Sequence, residues 1–174
     1  MHHSAGWSFG GVVAFEIARI LDRRGVDVKG VVLIDSPCPT DPPLLSDTVI
    51  QHVLRDDQER VIDASMRKLL VRQFKQSAVL LQSYAPIRGA ELDVPLTLLR
   101  ATAGFSLEGE NVPAWFCRER NDTESSVVSL WQEFVGRHVP VWDIPGHHFE
   151  LFSNVHVRFS FDMRSHCADA CIRR

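Results

Sequence analysis

A chain of 174 residues, 45% of them apolar and 24% charged, is long enough and apolar enough to bury the core of one domain. Its 19 Lys and Arg against 22 Asp and Glu leave a formal charge of -3, which argues against a nucleic-acid binder held by a basic face, and no apolar run approaches the roughly 18 residues of a bilayer span. Residues 1–5 carry no long apolar stretch of the secretory-signal kind, and Cys38, Cys117, Cys167 and Cys171 are too few and too scattered for a disulfide framework, so the expectation is a cytoplasmic domain.

The first block opens on Gly6-Trp7-Ser8-Phe9-Gly10-Gly11. Residues 1–5 ahead of it offer no apolar run, so no buried strand is expected to lead into this motif. Behind it, Val13, Ile17, Ile20 and Leu21 fall near helical spacing and predict a buried stripe, with Glu16, Arg19, Asp22 and Arg23 on the polar side. Gly25 stands where a glycine commonly ends a helix. The β-branched run at 28–34 predicts a parallel strand buried on both faces, stopped by Asp35-Ser36-Pro37-Cys38-Pro39.

Residues 44–84 contain neither Gly nor Pro and predict two or three helices, with breaks near Asp56-Asp57 and at Asp63. Ile62, Met66, Leu69, Leu70 and Phe74 approximate one apolar stripe. A loop at 86–89 precedes a second buried strand at 94–101, where Pro95 is tolerable near the start. A long polar loop is expected over 102–128, then a short helix at 127–135 carrying Trp131. Residues 139–144 predict a third strand and 145–152 a turn at its end. The remainder, from 153, has weak amphipathic character.

Strands alternating with helices predict an α/β fold with a mostly parallel sheet, whose sites lie at the carboxyl ends of its strands. Three chemically competent residues fall at such places. Ser8 is the centre of G-x-S-x-G, a spacing that suits a sharp turn lifting a hydroxyl into the open; read alone, it is also an ordinary Gly-rich turn. The helix that follows would present free N–H groups, with the amide of Phe9 placed to donate to an oxyanion. Asp35 ends the 28–34 strand and could orient an imidazole, or simply shape a turn before Ser-Pro. Asp122 is a rival acid in a polar stretch that suits a solvated charge. His148 follows the last strand and could accept the Ser8 proton and return it. Weaker signals are His166-Cys167-x-x-x-Cys171, which lacks a second pair of metal ligands, and the Asn121-Asp122-Thr123 sequon.

The stretches Gly-Trp-Ser-Phe-Gly-Gly-Val-Val-Ala-Phe-Glu-Ile-Ala, Leu-Ile-Asp-Ser-Pro and Ile-Pro-Gly-His-His-Phe-Glu-Leu-Phe resemble the thioesterase domain of polyketide and non-ribosomal peptide synthases, an α/β-hydrolase, with the terminal thioesterase/cyclase of fungal polyketide synthases the nearest in flavour. The resemblance covers residues 6–153 in one colinear order. It implies a catalytic triad of Ser8, Asp35 and His148 and a helical lid over about 44–85; the Phe9 amide remains the expected oxyanion donor, and Trp7, which flanks Ser8, is expected to line the acyl entrance. It further implies a substrate carried on the phosphopantetheine of an acyl carrier protein within a synthase, with no metal, no diffusible cofactor, no nucleic acid and no membrane. The rival readings are an esterase or lipase-like hydrolase and an inactive remnant serving as an interaction piece. Residues 1–153 are thus expected to be an N-terminally truncated α/β-hydrolase domain, and 154–174 a tail of uncertain structure.

Overall fold

Strands and helices alternate along the chain as β1 (His2–Trp7), α1 (Phe9–Arg23), β2 (Val28–Ile34), α2 (Asp47–Asp56), α3 (Ala64–Ser83), β3 (Leu96–Ala101), α4 (Val127–Val135) and β4 (Val141–Ile144). This computed structural model describes residues 2–41, 46–56, 63–84, 94–104 and 127–152. The strands form one sheet in the order β1-β2-β3-β4, every neighbour parallel. Each parallel step requires a crossover, and each one here contains at least one helix.

β1 supplies an entry strand to the Ser8 motif, which the sequence was expected to lack, although no buried strand stands there. Residues 2–7 pair with β2, from His3 opposite Gly30 to Trp7 opposite Ile34, and the Ser8 N–H extends the ladder to the Ile34 carbonyl at 2.9 Å. Backbone pairing, rather than apolar burial, makes this strand: none of its six residues is buried. A hydropathy reading has nothing to detect there.

α1 turns the expected stripe outward. Val13, Ile17 and Ile20 are 40%, 47% and 38% exposed, while Gly11, Val12, Ala14, Phe15 and Ala18 are buried. Positions 11, 14, 15 and 18 also have helical spacing, and three of the four are small. Small side chains let the helix lie close on the sheet, which outweighs the larger apolar total of the other face. The helix ends as expected at Gly25, with φ 74°: its N–H donates to Asp22 O and the Val26 N–H to Leu21 O, a Schellman pattern.

The main core joins α1, β2, β3 and α4 on one face of the sheet. Phe15, Trp131 and Phe134 meet there with ring centroids 5.4–5.7 Å apart. On β2, Val31 and Leu33 are buried beneath these helices, whereas Val32 and Ile34 are half-buried, so the expected two-sided burial is uneven. A smaller cluster of Ala101, Ile144 and Leu151 lies against Trp7, Ile34 and Leu99.

α2 and α3 occupy the expected helical insert. Asp63 caps α3 by accepting from the N–H groups of Ser65 and Met66 at 2.8 and 2.9 Å. Met66 and Leu69 of the expected stripe are exposed, and Leu81 is the buried residue of this helix. Ile62 lies outside the described residues, as do 105–126 of the expected loop and everything after 152. No described helix is long and apolar enough to cross a membrane.

Candidate active site

Ser8 sits between β1 and α1 with φ 54° and ψ -130°, a region that non-glycine residues seldom enter. The turn is tight because two glycines let chains cross. A Cβ on Gly6 would stand 2.0 Å from the Gly10 carbonyl oxygen, and one on Gly11 1.7 Å from Ser36 Oγ. At Gly10, the last residue of the motif, a Cβ would meet nothing within 4 Å. Ser8 occupies the N-cap of α1, yet its hydroxyl caps no backbone N–H. It faces His148 Nε2 instead, at 3.1 Å.

Asp35 follows β2 and is fully buried. Its N–H donates to Leu99 O at 2.7 Å, and its Oδ1 accepts from the Ala101 N–H at 3.1 Å, so β3 holds the residue once at its backbone and once at its carboxylate. Its Oδ2 lies 2.8 Å from His148 Nδ1. With the imidazole proton on Nδ1, His148 donates to Asp35 and leaves Nε2 to accept from Ser8. The three side chains come from the carboxyl ends of β1, β2 and β4, and span 140 residues of sequence.

Aromatic rings frame the imidazole. Trp7 stacks on it with centroids 5.0 Å apart and planes 26° apart, and Phe149 meets it edge-on at 4.7 Å. The buried indole N–H of Trp7 has no acceptor among the described residues. His147 points elsewhere, with Nε2 3.2 Å from Glu150 Oε1. Phe9 is the first residue of α1, where a backbone N–H has no intrahelical acceptor. Asp122, the sequon and the His166/Cys167/Cys171 segment all fall outside the described residues. Among the described residues no group of three or more His, Cys, Asp or Glu is placed to hold a metal ion.

A cavity of about 290 Å³ opens over Ser8 and His148. Trp7, Phe9 and Phe149 line it near the serine, and α2 and α3 cover it. Two supports of this site carry no sequence signal. The Trp131 indole N–H donates to Ser36 O at 3.1 Å, tying α4 to the loop that bears Asp35. Ser36 Oγ donates to Gly6 O at 3.3 Å, locking that loop to the Ser8 turn. Both join residues at least 30 apart in sequence, and neither is foreshadowed by spacing.

The family model of the thioesterase domain matches residues 3–161. The chain is 37% identical over 155 residues to orsellinic acid synthase armB of Armillaria mellea, covering 87% of this chain and 7% of that protein. It is 28% identical over 173 residues to thioesterase frbD of a Dothideomycetidae species, covering 94% of this chain and 64% of the other. Its fold matches the RedJ thioesterase from the prodiginine biosynthetic pathway in Streptomyces coelicolor, with a TM-score of 0.67 at 22% identity, over 92% of this chain and 61% of that one. The chain therefore spans less than a tenth of the synthase and under two thirds of the other two.

Proposed function

The chain belongs to the thioesterase domain family, and from that premise we propose that it is a serine thioesterase releasing a polyketide-type acyl chain from an acyl carrier protein through an acyl-Ser8 intermediate. The observation that carries this reading is the hydrogen-bonded sequence from Ser8 through His148 to Asp35 beneath an apolar cavity.

Ser8 Oγ attacks the thioester carbonyl while His148 Nε2 takes its proton. Asp35 holds the Nδ1 proton and stabilises the imidazolium that results. The carbonyl oxygen becomes an oxyanion, and the Phe9 N–H at the positive end of α1 donates to it; one such donor is worth roughly 3–4 kcal/mol of barrier. The C–S bond then breaks, His148 returns the proton to the departing phosphopantetheine thiol, and an acyl ester remains on Ser8. Water, or a nucleophile within the acyl chain, repeats the sequence and frees an acid or a ring. The steps use side chains and one backbone amide of this chain, with no metal and no diffusible cofactor. The partner is the carrier domain of a synthase, a reading supported by the synthase relative.

A fluorophosphonate probe tests the nucleophile. Wild-type chain is expected to label at Ser8, and Ser8→Ala to lose the label entirely by intact mass. Undiminished labelling of Ser8→Ala overturns the assignment. Faster turnover of p-nitrophenyl esters than of carrier-bound thioesters redirects the reading to an esterase.

A further inference from the structure

The cover of the cavity is not uniform in chemistry. α2 contributes the apolar Val49, Ile50 and Val53. Of the six residues that α3 contributes, four are apolar and two, Gln73 and Ser77, are polar. These two are four residues apart, so they stand one turn apart on the same face of α3. Neither side chain has a hydrogen-bond partner among the described residues. Trp7, beside Ser8, adds a buried indole N–H with no acceptor among the described residues.

A plain hydrocarbon chain has no use for such groups. Filling the cavity with one removes water from the cavity side of exposed Gln73 and half-buried Ser77 and returns no hydrogen bond. A ligand oxygen at that level replaces the lost water. The volume, about 290 Å³, sits at the small end of the roughly 300–1,000 Å³ usual for ligand sites, and so suits a compact acyl group.

We propose that Gln73 and Ser77 form a polar subsite on the lid that reads a hydroxyl or carbonyl oxygen of the acyl group, making the site selective for compact, oxygenated acyl chains over plain alkanoyl ones. The proposal rests on the acyl-Ser8 reading and adds the chemistry of the acyl group to it. The two residues act on the substrate side of the cavity and are separate from the Ser8, His148 and Asp35 machinery.

The test uses the full chain and N-acetylcysteamine thioesters of octanoate and of 3-, 5- and 7-hydroxyoctanoate. Gln73→Leu with Ser77→Ala is expected to lower the ratio of kcat/KM for at least one hydroxyoctanoyl thioester to that for octanoyl about tenfold, the worth of one or two hydrogen bonds. Each single variant is expected to show part of the loss, and a thermal melt verifies that each is folded; Gln73 is exposed, so Gln73→Leu alone carries the test if the double variant does not fold. A hydroxyoctanoyl-to-octanoyl ratio that stays at the wild-type value for all three isomers overturns the subsite. So does a wild-type chain that labels with fluorophosphonate at Ser8 yet turns over none of the four. Absence of that label overturns the acyl-Ser8 reading itself, and the subsite with it.

Discussion

At Ser8 the backbone takes φ 54°, and what permits this lies in its neighbours. The motif suggests that Gly6 and Gly10 are the two essential glycines. The contacts select Gly6 and Gly11, because Gly11 faces the Ser36 side chain at a distance that leaves no room for a methyl group. Gly11→Ala is therefore expected to destabilise the chain by about 2–3 kcal/mol through overpacking against the Asp35 loop. Gly10→Ala, in open space within a helix, is expected to be neutral or to stabilise by about 0.5 kcal/mol. Urea melts of the two variants check the order, and a Gly11→Ala variant as stable as wild type would contradict it. The candidate residues Asp35 and His148 were legible because each follows a strand that an apolar run reveals, whereas Ser8 was legible from its motif alone, since the strand before it carries no apolar signal. The use of Trp7 was only half legible. Its place beside Ser8 follows from the sequence, but its stack on His148 depends on where β4 ends relative to β1.

At the scale of elements, the insert is joined to α1 by a polar contact. The Tyr84 hydroxyl, just past α3, donates to Glu16 Oε2 at 2.6 Å, and Arg19 pairs with the same carboxylate. Arg19 holds the Glu16 carboxyl below its ordinary value of 4.5 against partial burial, with Tyr84 assisting. Burial and the Glu16 carboxylate push the Tyr84 phenol up, so it remains a donor. A carboxyl with a depressed folded pKa contributes stability above its unfolded value and loses that contribution as pH falls through the folded one. Glu16→Gln is accordingly expected to cost about 1 kcal/mol at pH 7, a Tm drop of about 2–4 °C, and the gap to wild type is expected to narrow toward pH 3. A gap that widens on acidification would refute this account. The existence of α1, α3 and α4 was readable from Gly and Pro punctuation. The face that α1 buries was not, because two overlapping stripes share helical spacing and only the closeness of the sheet chooses the smaller one.

For the whole molecule, the candidate site is a property of the assembled sheet. Ser8, Asp35 and His148 leave three different strands, and β3, which contributes none of them, holds Asp35 in place through the Leu99 carbonyl and the Ala101 N–H. The hydrogen-bonded Ser8–His148–Asp35 arrangement cannot form before β1 has paired with β2 and β2 with β3. Loss of fluorophosphonate labelling and loss of circular-dichroism signal on heating are therefore expected to coincide within a few degrees. Labelling that survives the structural melt would show a serine activated without the sheet.

The sequence by itself determined the alternation of strands and helices, hence a parallel α/β fold, and the order in which serine, acid and histidine occur. These follow from local physics: apolar runs, helix-ending glycines and turn-forming prolines act over a few residues. Only the tertiary structure decided that residues 2–7 form a strand, that α1 buries its small side chains, and that Gln73 and Ser77 share a cavity with Ser8. Each of these depends on a partner distant in the chain. A backbone ladder can hold a strand that carries no apolar signal, close packing can prefer a small face to a large one, and a cavity exists only where separate elements fail to touch.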